Sequence, residues 1–159
     1  MPTIQSLYDP NRPTLLLSLH PENTQAILTQ TKRFEYRRRF YQDAFQAFVY
    51  TTGPNGGVDL FIQCETPIRG TADELAQLEQ ADPESLRQYF AGLESGLAIP
   101  ISKVVELPKL SLATLKTRFS NFVAPRSYVF LDRPARQAQF AYFFQQPVSR
   151  MMVNEKKPR

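Results

Sequence analysis

The 159-residue sequence predicts an α+β fold, a small mixed β-barrel with flanking helices. Three observations carry that expectation. Five or six short stretches have the alternation or the β-branched and aromatic content of strands. Helical stretches interrupt them without the strand–helix–strand rhythm of a doubly wound parallel sheet. One strand pair is joined by a glycine-rich turn, the mark of a hairpin. An apolar fraction of 42%, with 12 Phe and 7 Tyr, gives one domain of this length enough core material without disulfides or metal.

Residues 1–13 contain Pro2, Pro10 and Pro13 and read as an irregular lead-in. Thr14 to Leu19 is a short apolar run between Pro13 and Pro21, which suits a buried strand. Pro21 opens a helix at the position where its missing N–H costs nothing, and Glu22 favours the positive end of the dipole. Ala26, Ile27 and Thr31 are the expected inner face of that helix. From Arg33 to Phe40 the chain alternates, with Phe34, Tyr36, Arg38 and Phe40 on one face and Arg33, Glu35, Arg37 and Arg39 on the other. Ala47–Thr52 and Val58–Cys64 flank Gly53–Gly57 as a hairpin.

Thr71 with Glu74 three residues on forms a capping box for an acidic helix. Asp82-Pro83-Glu84 starts a second helix through Leu86, Tyr89, Phe90 and Leu93. Leu97 to Val105 is another strand, 111–119 a short helix, Ser127 to Leu131 a last strand, and Pro134 to Phe144 a helix. One domain is expected over 14–150, followed by a polar, basic, frayed tail over 151–159.

Charge is unevenly spread along the chain. Residues 1–40 carry 6 basic and 3 acidic groups, 57–95 carry 2 and 8, and 96–159 carry 11 and 3. A chain this polarised can present a basic face that attracts phosphates. The acidic helices between 71 and 94 would repel nucleic acid and are expected to face away from it. The single cysteine, Cys64, excludes an internal disulfide and suits a reducing cytosol. With one His and one Cys, neither a metal site nor a cofactor is expected. No apolar run reaches the roughly 18 residues of a membrane span, and Met1-Pro2-Thr3-Ile4-Gln5 lacks the order of a secretion signal. A cytoplasmic protein without membrane contact, monomeric, is the expectation.

The candidate site lies on the basic strand. Glu35 and Arg37 are two apart, so their side chains leave one face about 7 Å apart. Lys32, at the helix-to-strand turn, can swing toward that face. A carboxylate between cations stays ionised and orients the guanidinium toward phosphate or a base edge. Charge on this strand could equally blunt a sheet edge against aggregation. Among other features, Gly53–Gly57 lacks the Lys-Ser/Thr of a phosphate loop. His20 is a possible base, more often structural at a strand end, and Cys64 reads as a buried small side chain. Tyr36, Tyr50 and Tyr128 are candidate base-stacking residues.

Leu17-Ser18-Leu19-His20-Pro21, then Ile27-Leu28, then Lys32-Arg33-Phe34-Glu35-Tyr36-Arg37 resembles the opening of the ASCH domain, a PUA-like β-barrel. Lys32, Glu35 and Arg37 match the charged positions of that family's Gly-x-Lys-x-x-Glu-x-Arg pattern, while Gln30 replaces its glycine. Pro125-Arg126-Ser127-Tyr128 resembles the step into its closing strand. The resemblance implies an open barrel whose motif residues line a cleft beside the first helix, and binding of RNA or a nucleotide-like ligand. On this reading Lys32 and Arg37 would contact phosphate or base edge, and Glu35 would position them or read an exocyclic amine. Arg33, Arg39 and Arg126 would be backbone contacts, and Tyr36 and Tyr128 would stack. Some bacterial relatives are amidohydrolases on an acylated cytidine and carry a threonine where this chain has Glu35, so that activity is not expected. An enzyme on a modified nucleoside or RNA, with Lys32 and Glu35 as acid and base, is the alternative. A module holding a peptide or metabolite is the third reading.

Overall fold

The computed structural model describes residues 2–154. In chain order these form β1 (Thr14–Leu19), α1 (Pro21–Leu28), β2 (Phe34–Arg37), β3 (Phe45–Thr51), β4 (Gly57–Cys64) and β5 (Ile68–Gly70). Then come α2 (Ala72–Ala76), α3 (Pro83–Phe90), β6 (Gly96–Ser111), α4 (Leu112–Arg118), β7 (Tyr128–Phe130), α5 (Gln137–Phe144) and β8 (Arg150–Val153).

All eight strands join one curled sheet in the order β2-β6-β4-β3-β1-β7, with β5 and β8 added to β6. β1 runs parallel to β3, and the other pairs are antiparallel, so the sheet is mixed. β6 makes the curl. Its first residues pair with β2 and β5, and its later ones with β4 and β8, with register shifts at Val58/Leu60 and Gln63/Cys64. Such shifts sharpen local twist and let one 16-residue strand serve both sides of a half-barrel.

Both faces of this sheet are buried. Leu15, Leu17, Leu19, Val49, Leu60, Ile62 and Ile99 fill the concave interior with Ile27 of α1. Leu16, Phe48, Phe61 and Val105 point outward, under Leu115 of α4 and Phe143 and Phe144 of α5. Around β2, Phe34, Tyr36 and Ala98 meet Leu75 of α2 and Leu86 and Phe90 of α3. A strand covered on both sides has no polar face to alternate, which is why β1 reads as a leucine run.

The mixed half-barrel with flanking helices is therefore the fold the sequence predicts. Both predicted acidic helices form, Thr71 and Glu74 making the full capping box and Asp82 capping α3. Three local expectations change. The inner face of α1 is Thr24 and Ile27, with Ala26 half-buried and Thr31 exposed, because the helix ends at Leu28. Phe40 joins the barrel interior rather than the face of Phe34 and Tyr36. β2 stops at Arg37, and the bend at 38–39 breaks the alternation. Arg150–Val153 is a strand, not the start of a frayed tail. It pairs with Lys103–Glu106, and Met152 packs on the interior core. Residues 155–159 lie outside the described residues. Among the described residues, no helix is long and apolar enough to cross a membrane.

Candidate functional site

The sheet path begins at β2 and ends at β7. One side chain bridges these two edges. Arg37 of β2 donates from Nη2 to the carbonyl of Ser18 on β1 (3.2 Å) and from Nη1 to Ser127 Oγ, just before β7 (3.3 Å). The half-barrel is thus closed at this seam by a guanidinium, and the seam is where a cleft opens.

Arg37 is itself held by Glu35. Its Nε donates to Glu35 Oε2 at 3.0 Å, while Lys32 Nζ lies 3.1 Å from Oε1. Both carboxylate oxygens are therefore taken by cations, and the residue is only 5% exposed. β2 pairs Glu35 with Ile99 and Arg37 with Leu97, which face the barrel interior, so the strand's parity puts both charges on that side. The predicted grouping of Lys32, Glu35 and Arg37 is what the chain forms. Phe40 lies under the guanidinium, 5.5 Å from Arg37 Cζ to the ring centroid, within cation–π range.

Lys32 reaches this point because of the turn before it. The N–H of Gln30 bonds to the carbonyl of Ile27, and those of Thr31 and Lys32 to the carbonyl of Ala26. This is a Schellman-type helix end, in which the αL residue is ordinarily glycine. Here that residue is Gln30, with φ +62°. The turn folds Lys32 back on α1, where Nζ also donates to Asn23 Oδ1 at 3.1 Å. The glycine of the resembled pattern and the departure at Gln30 thus concern one backbone angle, and the charged residues are placed regardless. Gln30→Gly should raise stability by about 1 kcal/mol, since a non-glycine residue in αL costs roughly that much. A denaturant midpoint equal to or below that of the parent protein would count against it.

The cleft holds about 410 Å³ and is lined by Ser18, Leu19, His20, Asn23, Lys32, Glu35, Tyr36, Arg37, Thr52, Ser85, Leu86, Tyr89 and Arg126. Arg126 is set by Ser18, whose Oγ donates to the carbonyl of Pro125 (2.6 Å) and whose N–H donates to the carbonyl of Ser127 (3.0 Å). Tyr36 donates its hydroxyl to Glu79 at 3.0 Å. Burial first, and then the Glu79 charge, push this phenol's pKa well above its ordinary value, so it stays neutral.

Several predicted residues fall elsewhere. Tyr128 sits opposite Leu17 in the β1–β7 ladder and so turns into the interior, its ring 4.5 Å from that of Phe40. Tyr50 is buried on the outer face beside Phe122. Arg33 precedes β2, its N–H donating to Glu79 and its carbonyl accepting from Ile101. Arg39 is exposed in the bend after β2. Neither Arg33 nor Arg39 lines the cleft. Arg38 lies over the ring of Tyr89, 5.4 Å from its centroid.

Of the two acidic helices, α3 does not face away from the cleft. α3 forms a wall of the cleft with Ser85, Leu86 and Tyr89, which are neutral. Its acid is spent elsewhere: Asp82 caps the helix, and Glu84 pairs with Arg87, which also pairs with Asp73 of α2. Sequence reasoning also missed Asn23, Ser18 and Ser127. They belong to three separate segments that only the curled sheet brings together. Among the described residues, no group of three or more His, Cys, Asp or Glu side chains is arranged to hold a metal ion.

No protein-family model matches the chain. A curated protein of Zymomonas mobilis subsp. mobilis, described as an ASCH domain-containing ribonuclease, is 28% identical over 134 residues, 80% of this chain and 90% of the relative. The crystal structure of ASCH from Zymomonas mobilis matches at TM-score 0.70 and 26% identity, covering 86% of this chain and 99% of that one. Human THYN1, solved in complex with 5-methylcytosine-containing DNA, shares the fold at TM-score 0.52 and 13% identity, over 85% of this chain and 99% of that one. With the charged motif in its expected order, a mixed half-barrel and relatives matched over most of their own length, the chain is similar to ASCH-domain proteins and has their PUA-like fold.

Proposed function

We propose that the protein binds nucleic acid, RNA in particular, by holding a single-stranded segment in the seam cleft. The observation that carries this is the donor surplus of the cleft. An ammonium has three N–H groups and a guanidinium five. Lys32 donates one N–H to Asn23 while its charge pairs with Glu35, and Arg37 uses three N–H groups on Glu35, Ser18 and Ser127. The remainder, together with Arg126, is available to phosphate or to base carbonyls. Glu35 acts as the scaffold that points these cations, because both its oxygens are already engaged. Tyr36 and Tyr89 offer ring faces for stacking, in place of Tyr128. Arg33 and Arg39, flanking β2, would contact backbone outside the cleft.

If roughly four phosphates of a single strand are engaged, log K should fall against log salt with a slope of about −3. Fluorescence anisotropy with a labelled oligoribonucleotide measures it, and an affinity indifferent to salt would refute the electrostatic reading. The described ribonuclease favours a second reading, that the bound strand is cut. Incubation of the same labelled strand, resolved by length, tests it.

A further inference from the structure

We infer that His20 is the proton acceptor for strand cleavage in this cleft, an inference that rests on the cleavage reading above. His20 joins β1 to α1 as the residue before Pro21, exposed and lining the cleft with Lys32, Arg37 and Arg126. Its Nδ1 lies 3.3 Å from Thr52 Oγ1, another cleft residue. In the neutral ring whose Nδ1–H donates to that hydroxyl, Nε2 carries the lone pair and is left for a ligand.

The other groups in the cleft are unsuited to that role. Both oxygens of Glu35 are held by cations. The Tyr36 phenol donates to Glu79 and is kept neutral by burial. Lys32, Arg37 and Arg126 are cations, which stabilise charge rather than accept a proton. An imidazole is the side chain that accepts and returns a proton near neutrality.

The step needs only the strand and water. The ribose 2′-oxygen forms a bond to the adjacent phosphorus as the bond from phosphorus to the 5′-oxygen breaks. The 2′-hydroxyl proton passes to His20 Nε2. The departing 5′-oxygen takes a proton from water, and His20 returns its own to the hydroxide so formed. The products are a 2′,3′-cyclic phosphate and a 5′-hydroxyl. Lys32 and Arg37 meet the non-bridging oxygens, where charge builds in the transition state.

The test uses the full chain, an unstructured oligoribonucleotide, and the same sequence fully 2′-O-methylated, which can bind but cannot react. His20→Ala should slow cleavage by about 100-fold or more, while affinity for the methylated strand is unchanged. Added imidazole should restore part of the rate to His20→Ala, an effect that a purely structural role would not give. His20 makes no side-chain capping bond to α1, so the variant should fold. If its thermal melt is nevertheless altered, His20→Gln is the second variant, expected to bind and not to cut. Cleavage at the parent rate by either variant overturns the inference, as does a parent protein that binds the methylated strand but leaves RNA intact. Failure of the parent protein to bind the methylated strand at low salt would instead overturn the binding reading, and His20's role with it.

Discussion

Replacing Glu35 with alanine should destabilise the fold by about 3–5 kcal/mol, the range for removing one partner from a buried ionic cluster. The Glu35 side chain is 7% exposed, and those of Lys32 and Arg37 are each 17% exposed. None is wet enough for solvent to compensate the loss. The alanine variant leaves two cations facing each other across the cavity vacated by the carboxylate, near Ile99 and Leu97. Like-charge repulsion then adds to the desolvation of each. Urea unfolding at unchanged m-value measures the loss. A double-mutant cycle with Lys32→Met separates the coupling: the pair should cost less than the two single losses added. A loss below about 1 kcal/mol would mean that the cluster behaves as a surface pair.

The same cluster shows how much of the site was legible in the sequence. Glu35 and Arg37 share a face because strand periodicity is two, a local fact that survives folding. Lys32 could be placed with them because the helix must stop and turn within four residues of Leu28. Local signals of this kind also gave the capping box at Thr71, the Asp82–Pro83 helix start and the hairpin at Gly53–Gly57. Where prediction failed, the deciding contact was distant in sequence. Tyr128 looks like a stacking residue until the β1–β7 register turns it toward Phe40. The acidic segment looked like a repelling surface because charge was summed along it. On a helix the sum matters less than the face, and α3 turns Ser85, Leu86 and Tyr89 to the cleft. β5 and β8 are three and four residues long, and each exists only because β6 offers it an edge.

Arg37→Lys should cost about 2–4 kcal/mol of stability and at least tenfold in nucleic-acid affinity, although charge is conserved. The guanidinium serves three acceptors at once: Glu35 across the face of β2, the Ser18 carbonyl on β1 and Ser127 Oγ ahead of β7. A lysine ammonium is a single point and cannot span them. If it stays on Glu35, the Ser18 carbonyl and Ser127 lose their charged donor, and the two edges of the half-barrel are no longer bridged. If it moves to the seam, Glu35 loses half its neutralisation. Either way the cleft loses the planar donor pair that can grip a phosphate along two parallel bonds. Arg150→Lys is the control, since Arg150 is exposed on β8 outside the cleft and should change neither quantity. Amide hydrogen exchange supplies the sharper readout. Faster exchange confined to β7 and the 125–127 segment is the signature of an opened seam. Unchanged protection there, with stability and affinity intact, would show that the half-barrel closes without Arg37.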